Sequence, residues 1–264
     1  MLPPCINSQS GETKNSEVMR IPPPSLVLFA VLVSVALCAF KAGTSWRSHS
    51  TDQFNAVNPA EREEVLKFFN SRTIPPNAYR ILFIGDSLTC VGRGPLWEEW
   101  NGMAATTYSN DFVHLFAAKV QGCISRPVEI FLVTAGPLQQ MLDELKAQPN
   151  LSPDLVIYQG GENDNFNEAF KNNYRQLLSS FTNTQAKTIV LGDWWNQDKS
   201  NFDRATAKEF GFAFIDLISI QERPDTKGNG GPLNHPGVAA HPNDVGMKAI
   251  ADLLNDKLRT EIPR

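Results

Sequence analysis

A chain of 264 residues with 24 basic and 28 acidic side chains carries a formal charge of −4 and has a pI near 5.6. It holds no basic surplus, so nucleic acid is not an expected partner. The four cysteines, Cys5, Cys38, Cys90 and Cys123, fit no metal-binding spacing; Cys90 and Cys123 read as two buried thiols, or as a disulfide if the domain is exported.

The N-terminus divides into three parts. Residues 1–24 are polar and proline-punctuated, ending in Arg20-Ile21-Pro22-Pro23-Pro24, a composition expected to stay disordered. Residues 25–41 contain the apolar run Leu26–Phe40, broken only by Ser34 and closed by Lys41. A run of about fifteen residues suits an export signal or a single membrane anchor, with the following domain outside the cytoplasm. Positive charge flanks the run about equally on both sides, so it sets no orientation. Residues 42–58 read as a linker, and a domain spans 59–264.

Within that domain, Pro59 to Phe69 has helical spacing, and Pro75-Pro76 ends it. Ile81 to Ile84 is a short apolar run of the kind buried in a parallel sheet, followed by Gly85-Asp86-Ser87-Leu88. A long segment, Cys90 to Ser109, carries Trp97, Trp100 and Tyr108 and should cover the C-terminal edge of the sheet. A helix over Asp111–Val120 leads to a strand over Val128–Val133, then a helix runs through Leu138, Met141, Leu142 and Leu145. Leu155–Tyr158 is the third strand, running into Gln159-Gly160-Gly161-Glu162-Asn163-Asp164. Helix Phe166–Phe181, strand Thr188–Leu191, helix Ala205–Phe210 and strand Phe212–Ile215 follow. A Gly/Pro-rich loop, Pro224–Pro242, precedes a terminal helix over Asp244–Leu258. This alternation predicts an α/β domain of three layers, α/β/α, around a mainly parallel five-stranded sheet.

In such a sheet, the turns after the strands converge on one rim. That rim would hold Ser87, Gly136, Gly161 with Asn163, and Asp193, and His241 precedes the last helix where it can reach the same edge. A hydroxyl, an imidazole, a carboxamide and accessible backbone N–H groups are the parts that acyl transfer needs.

Here the chain resembles the SGNH (GDSL-type) hydrolases, over roughly Arg80 to Leu258. Gly85-Asp86-Ser87-Leu88 is similar to the family's first block, which implies Ser87 as nucleophile and its N–H as an oxyanion donor. Gly136 matches the second-block glycine and implies a second N–H donor. Gly161-Glu162-Asn163-Asp164 resembles the third block and implies the Asn163 side chain as the third donor. His241-Pro242-Asn243 with Gly246 resembles the fifth block and implies His241 as the base. Asp86 and Gly161 support their turns. The resemblance implies a flavodoxin-like architecture and a serine esterase acting on O-acyl esters of small molecules or glycans. It implies no metal and no organic cofactor.

The sequence departs from this pattern in two places. Thr134-Ala135 precedes Gly136 where the family carries an asparagine. More consequentially, the catalytic acid expected three residues before the histidine is Val238. Either another acceptor, such as a backbone carbonyl or a distant carboxylate, orients His241, or the chain is a weak or inactive relative that binds glycan or cell-envelope components. His235-Pro236 offers a competing base, equally without an aspartate. Trp97, Trp100, Trp194 and Trp195 either line the substrate cleft or pack in the interior.

Overall fold

The computed structural model describes residues 74–91, 101–134, 137–148, 151–228 and 235–261. Five strands, β1 (Tyr79–Gly85), β2 (Val128–Thr134), β3 (Leu155–Gln159), β4 (Lys187–Leu191) and β5 (Ala213–Ile215), form one sheet in the order β2-β1-β3-β4-β5. Every pairing is parallel. Each strand returns through a helical crossover, as parallel neighbours require. The helices are α1 (Phe112–Gln121), α2 (Leu138–Lys146), α3 (Glu168–Ser179), α4 (Gln197–Glu209), the single turns α5 (Ile218–Gln221) and α6 (Pro236–Ala239), and α7 (Asp244–Glu261).

Strand alternation divides the core into two layers. Ile81 and Phe83 of β1 face Phe112 and Phe116 of α1 together with Met247, Ile250 and Leu254 of α7. Leu82 and Ile84 face the other way, toward Leu138 and Met141 of α2 and Phe170, Tyr174 and Leu177 of α3. Ile81 to Ile84 are wholly buried, which is why they read as an unbroken apolar run rather than an alternating one. The expected three-layer α/β/α domain with a five-stranded parallel sheet is the observed architecture.

Two expectations need correction. Helix α4 starts at Gln197, eight residues before the expected Ala205, because Asn196 caps it by accepting from the N–H groups of Asp198 and Lys199. Helix α3 starts at Glu168 rather than Phe166, since Asn167 accepts from Phe170 N–H and sets the boundary there. Cys90 and Cys123 are half-buried against the first core layer. The apolar run at 26–40 and the helix expected over 59–69 lie outside the described residues. Among the described residues, no helix is long and apolar enough to cross a membrane.

The strand order places the site. Chain connections leave β1 toward β2 on one side, and β3 lies on the other, so the sheet has its switch point between β1 and β3. The crevice beyond the carboxyl ends of those two strands is where open α/β sheets bind ligands. Ser87 follows β1, and Glu162 and Asn163 follow β3.

Candidate active site

The turn carrying Ser87 is compact because Gly85 allows β1 and β3 to close together. A Cβ at Gly85 would stand 2.0 Å from both the Gln159 carbonyl oxygen and Thr89 Oγ1. After it, the Asp86 carbonyl accepts from the N–H groups of Thr89 and Cys90, and the Ser87 carbonyl accepts from Met103 N–H. The Ser87 backbone is thereby fixed while its side chain stays accessible.

His241 meets that side chain. Its Nε2 lies 2.8 Å from Ser87 Oγ, and its Nδ1 lies 2.7 Å from the Gly237 carbonyl oxygen. A carbonyl can only accept, so Nδ1 carries the proton and Nε2 is left as acceptor for the serine O–H. The Gly237 carbonyl therefore occupies the position at the imidazole that a triad carboxylate would hold. The backbone around it is equally constrained: His241 N–H donates to the Val238 carbonyl, and Gly228 N–H donates to the His241 carbonyl. Burial lowers the His241 pKa to about 4, against the weaker opposing pull of the Gly237 carbonyl. His241 is thus a neutral imidazole near pH 7.

Val238 itself is fully buried and packs against Met103, with Val91 and Ala104 around them. His235, the competing base, instead caps α6: its Nδ1 accepts from Gly237 N–H at 3.1 Å. Of the paired tryptophans, Trp194 is buried, and its indole N–H donates to the Ala240 carbonyl at 2.9 Å. Trp195 is 38% exposed, and its ring meets the His241 ring edge-on at 4.9 Å. Gly136, Trp97 and Trp100 lie outside the described residues.

The turn after β3 brings Asn163 beside the Ser87 turn. Asn163 Nδ2 donates to Asp86 Oδ2 at 3.2 Å, so one amide hydrogen anchors the side chain and the second remains for a ligand. Gly161 starts this turn with φ of +93°, and a Cβ there would lie 2.7 Å from the Phe170 ring; both facts demand glycine.

Two residues that carry this site were not singled out by sequence reasoning. Lys199 is buried, and its ammonium donates to the carbonyls of Gly161, Glu162 and Asp164 at 2.7, 3.1 and 2.6 Å. Asp193 stands 3.9 Å from the same ammonium and accepts from the N–H groups of Trp195 and Asn196. The Asn163 turn is therefore wrapped round a buried cation. The second residue is Glu162, whose carboxyl reaches inward to Gln159 and Asp86. Burial raises the pKa of Asp86, Glu162, Asp193 and Asp203 alike.

Neither family models nor curated proteins give a sequence match to this chain. Solved structures do match. A structure of TesA is similar over 69% of this chain and 99% of its own, at 15% identity and a TM-score of 0.52. A protein from Parabacteroides merdae assigned as a GDSL-like lipase matches over 70% of this chain and 97% of its own, at 17% identity and a TM-score of 0.50. The fold is that of the GDSL-type (SGNH) hydrolases. A catalytic variant of an acetylxylan esterase from Geobacillus stearothermophilus overlaps less well, at 15% identity and a TM-score of 0.49, over 69% of this chain and 94% of its own. Identities this low establish the GDSL fold alone; chemistry has to be argued from the side chains of the site.

Proposed function

We propose that this protein hydrolyses carboxylic esters by acyl transfer through Ser87. The observation that carries the reading is the 2.8 Å contact between Ser87 Oγ and His241 Nε2, with the opposite ring nitrogen held by the Gly237 carbonyl. Ser87 Oγ attacks the ester carbonyl as its proton passes to His241 Nε2. The oxyanion is met by Ser87 N–H and the second amide hydrogen of Asn163, with the Gly136 N–H as the further donor that the family resemblance implies. Collapse of the tetrahedral intermediate breaks the bond to the alcohol, which leaves with the proton from His241. Water then attacks the acyl-serine, His241 takes its proton, and the acid departs as Ser87 is regenerated.

The alcohol side is best suited to a carbohydrate, because Trp195 presents an exposed ring beside His241 on which a sugar face can stack. The apolar run at 26–40 supports a domain exported or anchored outside the cytoplasm. A fluorophosphonate probe tests the chemistry directly. It should label the wild-type protein covalently at Ser87 and leave Ser87→Ala unlabelled. Absence of labelling, together with absence of ester turnover, would favour the inactive glycan-binding reading that the loss of the acid at Val238 otherwise invites.

A further inference from the structure

Two buried carboxyl oxygens near Ser87 have no hydrogen-bond donor: Asp86 Oδ1 and Glu162 Oε2. Their sister oxygens are both engaged. Asp86 Oδ2 accepts from Asn163 Nδ2, and Glu162 Oε1 accepts from Gln159 Nε2. Gln159 Oε1 in turn accepts from Thr89 Oγ1 at 3.1 Å. The two carboxyl groups also lie within hydrogen-bonding reach of each other. Two carboxylates cannot bond, because each is acceptor-only, and both oxygens would then stay buried with their desolvation uncompensated. A single proton removes both problems at once.

We propose that Asp86 and Glu162 share one proton at neutral pH, with Glu162 as its donor, and that Glu162 is thereby a positioning residue that fixes Asn163 beside Ser87. The chain of bonds then closes without an orphan: Thr89 to Gln159, Gln159 to Glu162, Glu162 to Asp86, and Asn163 to Asp86. The surroundings agree. Hydrogen bonding between the two groups raises Glu162 and lowers Asp86, in keeping with Glu162 as the donor. Asp193, from the turn after β4, opposes a second negative charge on either group. Tyr158 of β3 is held neutral by burial first and then by the neighbouring Asp203 and Asp86. Lys199 of α4 gives its hydrogen bonds to the backbone carbonyls of the turn, Glu162 included, rather than to the carboxyl pair. A shared proton also leaves one negative charge, not two, near the place where the oxyanion forms.

The positioning role rests on the reading of Ser87 and Asn163 given above, whereas the shared proton does not. Isotope-edited infrared spectroscopy of the folded protein at pH 7 should show the C=O stretch of a buried protonated carboxyl, lost in Glu162→Gln. In kinetics, Glu162→Leu should lower kcat roughly 10–100-fold with little change in KM, less than removal of the oxyanion donor itself. Glu162→Gln should recover most of that loss, because its amide still donates to Asp86. The wild type should show an alkaline fall in kcat as the shared proton is lost, and Glu162→Gln should abolish it. No protonated-carboxyl band in the wild type, or a Gln variant as impaired as the Leu variant, would overturn the proposal. A band that persists while Ser87→Ala retains full ester turnover upholds the shared proton and removes the hydrolase reading; Ser87-dependent turnover without the band does the reverse.

Discussion

The acid limb of the pH profile is the sharpest consequence of the His241 environment. As base, His241 must be neutral, and burial brings its pKa to about 4 from the ordinary 6.5. At pH 5 an imidazole with a pKa near 4 is about 90% neutral, against about 3% for one at 6.5, so the two cases differ roughly 30-fold in active enzyme. The assay is kcat/KM for 4-nitrophenyl acetate between pH 3.5 and 8, read as acetate release so that nitrophenol ionisation does not interfere. Activity should be nearly flat from pH 5 to 7 and fall below, with a midpoint near 4. The same shift has a stability counterpart. Between about pH 4 and 6.5 the unfolded chain binds a proton at this position that the folded chain does not, so stability falls as pH falls through that window. The full loss attributable to His241 is about 3 kcal/mol, isolated by comparing urea unfolding of wild type and His241→Gln at pH 7.5 and 4. An acid limb centred near 6.5 would refute the reasoning, because it would mean that an anion stabilises the imidazolium in place of the neutral Gly237 carbonyl.

Other substitutions test the remaining parts. Ser87→Ala should abolish turnover of 4-nitrophenyl acetate while thermal unfolding stays unchanged. Asn163→Ala should lower kcat by roughly 10²–10³-fold, the cost of one oxyanion donor, with KM little affected. Lys199→Met removes the cation from three carbonyls and should lower both stability, by more than about 2 kcal/mol in chemical denaturation, and kcat, through the loosened Asn163 turn. Val238→Asp would place a carboxylate among Met103, Val91 and Ala104, so Tm should fall and the acid limb should stay near 4; an upward move of the limb would show that the new carboxylate reaches His241.

The parts of the fold legible in the sequence are those in which burial and polarity coincide. Ile81–Ile84 and Leu155–Tyr158 are apolar because both faces of a central parallel strand are covered, and the turns after them had to hold whatever chemistry the domain performs. Helix α4 hid its first half because the side chains it buries include Lys199, Ser200 and Asp203, so apolar spacing gave no sign of an inward face. Lys199 and Asp203 are buried where they bond the Asn163 and Asp193 turns, and Ser200 where it bonds Asp216. The adjacent Trp194 and Trp195 were equivalent on paper, and only the turn after β4 sends one into the core and the other toward His241. The Gly237 carbonyl had no signature at all, since every residue supplies a carbonyl and only the turn of α6 aims this one.

Replacement of the triad carboxylate by a carbonyl divides two duties that one residue usually performs. An aspartate both selects the tautomer of the histidine and stabilises the imidazolium, and its loss costs about 10⁴ in kcat where the geometry survives but the tautomer is wrong. The Gly237 carbonyl meets the first duty fully, because it accepts from Nδ1 at 2.7 Å and can accept from nothing but a protonated nitrogen. It meets the second only as a dipole. Burial lowers the His241 pKa and the Gly237 carbonyl offsets this only in part, so the imidazolium formed during attack is poorly stabilised relative to water. In the proposed reaction, transition-state stabilisation must then lean more heavily on the oxyanion side, where Asn163 is fixed by Asp86 and its turn is folded round Lys199. The same arrangement keeps the base neutral in acid that would silence an ordinary histidine. A modest maximal rate held to low pH is therefore the combination this geometry favours.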